Sequence, residues 1–267
     1  MAALKEGAHS MGLLRSWRRR RRLEQVRIDP DLWARVVAAY DFLAELSEDE
    51  RRRLHDLVVL FLGEKEMHGE AGMALSDEIR VAIAAQACLP ILELGIDYYD
   101  GFVGVIVYPG QFHVRREEFD EDGVMHEWDD ELSGEALPGG PVVLSWEDVG
   151  LAGAGYNVVI HEFAHKLDML RGDADGYPAA HPDMDAAEWH RVLEVTYLRL
   201  CDKVDRGRPT PFDEYAAEHP AEFFAVMTEE FFTDPRLLRE EYPTLYGQLV
   251  RFYRQDPAVR IREVQHG

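Results

Sequence analysis

Asn157-Val158-Val159-Ile160-His161-Glu162-Phe163-Ala164-His165-Lys166-Leu167-Asp168 is the stretch from which the rest of the chain is read. An apolar run leads into two histidines four residues apart, and Asn157 is a good N-cap for a helix reaching about Leu170. One helical turn separates His161 from His165 on a common face, so both imidazoles can reach a single ion. Glu162 projects beside that face. There it can approach a water on the metal without filling the coordination shell, as a general base must. Because Val158 to Ile160 bury the helix, two imidazoles inside it need partners, which favours metal ligation over a pair of idle core histidines.

Catalytic zinc takes three protein ligands and keeps one position open for water. Two carboxylates compete for the third place. Asp168 lies three residues after His165 and continues the same helical face. Glu222 lies 57 residues beyond His165 in Pro220-Ala221-Glu222-Phe223-Phe224-Ala225-Val226, a second apolar helix in which a carboxylate needs a cation or a donor. Glu222 is favoured, because a separate element can complete a tetrahedron where the short Asp168 is bound to its own helix. Asp168 then reads as a residue behind the ligands or at the helix end. Glu229, seven residues after Glu222, shares its face and reads either as a holder of the outer nitrogen of a ligand histidine or, equally, as a solvated acid. Tyr215 sits on the loop entering that helix, where a phenol can donate to an oxyanion; by itself it reads more simply as structural. His113, His126, His181, His190 and His219 have no ligand spacing and are expected on the surface or satisfied in the core.

Outward from the two apolar helices, the pattern is helical from Pro30, with Leu32, Val36, Val37, Tyr40, Leu43 and Leu46 at spacings of three and four. Leu54 to Leu62 suggest a second helix, and Ser76 caps a third that ends near Pro90. Phe102 to Tyr108 reads as a strand ended by Pro109-Gly110. The acidic segment 117–131 reads as a hairpin or exposed loop. Pro141 to Trp146 is a strand just before the metal helix, either the edge that pairs with an extended substrate or an interior strand. Helices resume at Met184 to Val204, Pro220 to Thr233 and Pro235 to Tyr253.

The 267 residues carry 29 Lys or Arg against 51 Asp or Glu, a net charge of −22. Residues 1–30 oppose this with eight basic against three acidic residues, leaving −27 to the remainder. So acidic a body repels phosphate backbones, which argues against nucleic-acid binding. The arrangement expected is a basic, flexible leader over 1–29 and one domain over 30–267. Cys88 and Cys201 are far apart and form no disulfide framework, and no apolar run near the N-terminus is long enough for a signal peptide or a membrane span. A cytoplasmic protein without stable membrane insertion is expected.

Five segments in order carry a family likeness: RVAIAAQACLPIL at 80–92, DGFVGVIVYPG at 100–110, GPVVLSWEDV at 140–149, NVVIHEFAHKLDML at 157–170 and YAAEHPAEFFAVMTEEFF at 215–232. With them the chain resembles the Mlc titration factor A family of bacterial zinc peptidases. That resemblance implies one Zn²⁺ per chain held by His161, His165 and Glu222, Glu162 as catalytic base, and Tyr215 near the scissile carbonyl. The expected fold is α+β and zincin-like, mostly helical with a small mixed sheet. The expected activity is peptide hydrolysis, with no preference readable between trimming ends and cutting internally. The resemblance also implies a second role, binding a sugar-responsive transcriptional repressor.

Overall fold

The computed structural model describes the backbone of residues 19, 21, 23, 26–119, 125–153 and 155–264, and their side chains except at 114–131 and 261–264. Most of the basic segment over 1–29 lies outside these residues. Within it, Arg19 reaches the body of the protein, 2.6 Å from Asp97 and 3.3 Å from Glu64.

The first layer is helical: α1 (Pro30–Ala39), α2 (Asp41–Ala44) and α3 (Glu48–Glu64). The pattern from Pro30 to Leu46 is not one helix, because Tyr40 is extended between α1 and α2 (φ −126°, ψ 115°). Its three-four spacing survives the break, since Leu43 and Leu46 return to the same core. Ser47 and Glu50 close the start of α3 as a capping box, each side chain accepting from the other's backbone N–H. Ser76 caps α4 (Asp77–Cys88) as expected, accepting from Ile79 N at 3.2 Å. From Val81 to Cys88 every α4 side chain is buried. Four alanines keep that helix thin enough to be covered on all sides.

Strands β1 (Glu66–Gly69), β2 (Gly104–Tyr108), β5 (Gly134–Ala136) and β6 (Val142–Ser145) form a mixed sheet in the order β1-β2-β6-β5. The first three are parallel, and β5 runs antiparallel to β6. Between β2 and β5 the chain makes a separate hairpin, β3 (Phe112–Phe119) with β4 (Met125–Leu132), so the acidic segment is a hairpin and not a loop. Strand β6 is interior; the sheet edge nearest the helix of His161 and His165 is β5. Neither β1 nor β5 is apparent from sequence, because four and three residues containing glycine give too short an alternation to read.

After a short α5 (Trp146–Val149) comes the histidine helix, α6 (Val158–Asp168), packed against the sheet and the C-terminal helices. The far side of α6 is fixed by Phe163, fully buried, with ring centroids 5.0 Å from Tyr99, 5.5 Å from Phe102 and 5.7 Å from Phe61. Offset and edge-to-face pairs of this kind add about 0.5–1.5 kcal/mol each beyond burial. The cluster sets the rotation of α6 and so the direction of its histidines.

The remainder is α7 (Ala186–Asp205), α8 (Pro220–Thr233), α9 (Pro235–Glu241), α10 (Pro243–Tyr253) and α11 (Pro257–Val264). The single helix expected from Pro235 to Tyr253 breaks at Tyr242 (φ −130°, ψ 65°), because Pro243 cannot donate to a continuing helix and disfavours a helical residue before it. Among the described residues no helix is long and apolar enough to cross a membrane.

Candidate metal centre

The histidine helix and α8 pack face to face. Asn157 starts α6 by accepting from Ile160 N at 2.9 Å, and its amide donates to Gln86 Oε1 on α4 at 2.7 Å. His219 starts α8, its Nδ1 accepting from Ala221 N at 3.1 Å. Between these two beginnings three side chains converge. His161 Nε2 lies 3.0 Å from Glu222 Oε2, His165 Nε2 lies 3.2 Å from His161 Nε2, and His165 Nε2 lies 3.4 Å from Glu222 Oε2.

These separations test the fit of a metal. A tetrahedral ion with ligands at about 2.0–2.1 Å has ligand–ligand edges of about 3.3 Å, and the three contacts bracket that value. Two imidazoles and one carboxylate are also the donor set that suits zinc. Among the described residues this is the one group of three or more His, Cys, Asp or Glu side chains able to share an ion.

Behind the three, Glu229 is buried with one oxygen 2.7 Å from His161 Nδ1 and the other accepting from Asn157 N at 2.5 Å. Gln86, Asn157, Glu229 and His161 thus form one chain that fixes the imidazole with Nε2 toward the centre. Burial disfavours the His161 imidazolium, yet the Glu229 charge and the hydrogen bonds with Glu222 and Glu229 outweigh it and raise its pKa well above the usual value. Burial likewise opposes ionisation of Glu222, but the hydrogen bonds and charges of His161 and His165 hold it well below the usual carboxylate range. Both results describe the attraction between the carboxylates and the imidazoles beside them.

Glu162 is 5% exposed and lines the same cavity of about 330 Å³ as His161, His165, Glu222, Tyr215 and His219. Burial lifts its carboxyl to about 6, against the lowering charges of His161 and His165. Tyr215 stands on a short 3₁₀ helix (Glu214–Ala217), not a loop, and its ring centroid is 6.3 Å from that of His161. Burial, then the charges of Glu222 and Glu218, push its hydroxyl above the normal range, so it remains a proton donor.

Asp168 stays apart from the three converging groups. One of its oxygens accepts from Gly176 N at 2.7 Å, and burial raises its carboxyl to about 7. Gly176 (φ +84°) lies directly against Pro220, the first residue of α8, so Asp168 ties the end of α6 to the start of the helix bearing Glu222. Of the remaining histidines, His181 is satisfied by Tyr98 and Phe252, His190 stacks on Tyr177, and His113 is exposed; the side chain of His126 lies outside the described residues.

Two contributors escape sequence reasoning. Lys166 donates to Leu137 O at 2.5 Å and Gly140 O at 3.0 Å, pinning the β5–β6 turn to α6; burial lowers its ammonium to about 8. Strand β5 itself forms the wall opposite Glu222, with Gly134, Glu135 and Ala136 lining the cavity. A second cavity of about 250 Å³ continues past Glu162 and Tyr215 toward Tyr156 and Val226.

A family profile described as glucose-regulated metallo-peptidase M90 matches residues 14–254. The chain is 39% identical to Mlc titration factor A of Klebsiella pneumoniae (strain 342) over 236 residues, covering 86% of this chain and 88% of that one. It is also 39% identical to the proteins of that name from Salmonella arizonae, covering 86% and 93%, and from Enterobacter sp. (strain 638), covering 84% and 86%.

Proposed function

From the premise that the chain belongs to the glucose-regulated metallo-peptidase M90 family, we propose that it is a zinc peptidase of zincin-like fold, with His161, His165 and Glu222 as ligands. The observation that carries this reading is the convergence of those three side chains, with tetrahedral edge lengths, on the floor of a cavity. When bound, zinc supplies Lewis acidity toward a water and the scissile carbonyl. The chain's own residues do the rest. Glu162 takes the proton from the attacking water and returns it to the departing amine. Tyr215 donates its hydroxyl hydrogen to the carbonyl oxygen as negative charge grows there. Glu229 holds His161 by its outer nitrogen, and the outer edge of β5 lays out an extended peptide beside Glu162. Cys88 and Cys201 are free thiols, in keeping with a cytoplasmic setting.

Glu162→Gln tests this directly. It preserves size while removing the base, so peptide hydrolysis is expected to fall about 10²- to 10⁴-fold, with zinc content and thermal stability near wild type. Wild-type turnover in that variant ends the proposal. Tyr215→Phe is expected to keep fold and metal and to slow turnover about 10²- to 10³-fold.

A second reading rests on the relatives' name, which describes a factor that titrates Mlc. On it, this chain also captures a transcriptional repressor through its surface. Capture by the Glu162→Gln protein distinguishes the roles, because a protein interface does not depend on one buried carboxylate.

A further inference from the structure

Gly134 opens strand β5, paired with Leu144 of β6. It is not among the glycines of positive φ, so nothing in its backbone requires glycine. What the position lacks is room. A Cβ placed there would stand 2.4 Å from Glu162 Oε1, 2.7 Å from its Cγ and 2.8 Å from its Cδ, against the ~3.5–4.0 Å at which carbon atoms rest. The three nearest atoms all belong to this one side chain.

The most crowded glycines elsewhere in the sheet differ. At Gly104 a Cβ would meet Glu66 O at 2.2 Å, and at Gly69 it would meet Met73 O at 2.1 Å, so substitution there pushes backbone against backbone. At Gly134 the conflict falls on a side chain that can turn. We propose that Gly134 is a positioning residue: by having no side chain, it keeps open the seat of the Glu162 carboxylate. This rests on the reading of Glu162 as the base.

Glu162 is the partner that must yield. Strand β5 is paired to β6 along 134–136, and the turn that follows it is held by Lys166, so the wall resists moving outward. On the other side, α6 is locked by Phe163. A turned side chain relieves the clash at the cost of one rotamer. A base acts only within about 2.6–3.2 Å of the proton it takes, and a misplacement of about 1 Å can cost 10²-fold in rate.

The test is a double-mutant cycle on Gly134→Ala and Glu162→Gln, with zinc content, thermal unfolding, kcat and KM measured on a peptide substrate. Gly134→Ala is expected to retain zinc and melt near wild type, to lower kcat about 30- to 100-fold, and to leave KM within about threefold. Added to Glu162→Gln, it should change the residual rate less than about threefold, because the base is already gone. Wild-type kcat in Gly134→Ala overturns the inference. So do equal losses in both backgrounds, or loss of zinc or fold, since each assigns Gly134 a role that does not pass through Glu162. If Glu162→Gln itself turns over normally, the peptidase reading fails; if it is inactive while Gly134→Ala is fully active, only this inference fails.

Discussion

Along the helical wall of the cleft, His161, Glu222 and Glu229 each touch another polar side chain within 3.0 Å, and the chain of contacts runs back to Gln86 on α4. Along the strand wall, Gly134, Glu135 and Ala136 are paired with β6 on one side, and Lys166 with two main-chain hydrogen bonds holds the turn behind them. One wall is built from interlocked side chains and the other from paired main chain. On the function proposed above, the difference matches what each wall would do, because metal ligands keep a fixed geometry while an edge that receives a peptide works through its main chain.

If that contrast is right, the largest effects belong to the helical wall. Glu222→Ala should take zinc from one per chain to near zero by elemental analysis, with hydrolysis lost in step. Asp168→Ala should leave the metal in place, because Asp168 braces the loop at Gly176 and does not join the three converging side chains. Metal loss in the second variant but not the first would reverse their roles.

Next in size is Glu229→Gln. It keeps a hydrogen-bonding group beside His161 Nδ1 but removes the charge, and competition with a chelator should show metal affinity down about 10- to 100-fold. An unchanged affinity would mean that the wall is less interdependent than its contacts imply.

The strand wall should answer differently. Lys166→Met frees the carbonyls of Leu137 and Gly140 and lets β5 shift, so KM should rise about three- to tenfold, roughly the 1 kcal/mol that such tethers contribute. kcat should move less, since no ligand is touched. A fall in kcat at constant KM would break the comparison.

The smallest effect concerns what the helical wall costs. Glu230, beside Glu229, is buried with Oε2 unpartnered, and burial with the charges of Asp234 and Glu229 brings its carboxyl to about 7. The folded state therefore prefers the protonated acid. Its contribution to stability is intact below about pH 4.5 and is lost as pH rises toward 7. Thermal melts of Glu230→Gln from pH 5 to 8 should be correspondingly flatter than those of wild type.

The two walls also differed in how far the sequence revealed them. His161, His165, Glu222 and Glu229 repeat at four and seven residues within long apolar helices, and such periodicity survives any error in placing helix ends. Asn157 was readable as a cap, though its bond to Gln86 was not, because that partner lies 71 residues away. Strand β5 has three residues and no alternation, and Lys166 looks like any lysine that follows a histidine. Gly134 carries no side chain to notice. Breaks at Tyr40 and before Pro243 moved helix boundaries without moving a core residue. Where the candidate site came from a repeated side-chain pattern it was legible; where it came from main chain or from empty space, it needed three dimensions.

If β5 receives the peptide as proposed, its brevity has a kinetic consequence. Three residues in a strand turn the N–H and C=O groups of at most two of them toward a guest, so a docked peptide gains only a few main-chain hydrogen bonds of about 0.5–1.5 kcal/mol each. That grip is too slight to hold a cleaved fragment for long. Fragments should depart quickly once the bond is cut, leaving the bond-breaking step, and not the exit of its products, to set the pace of the cycle.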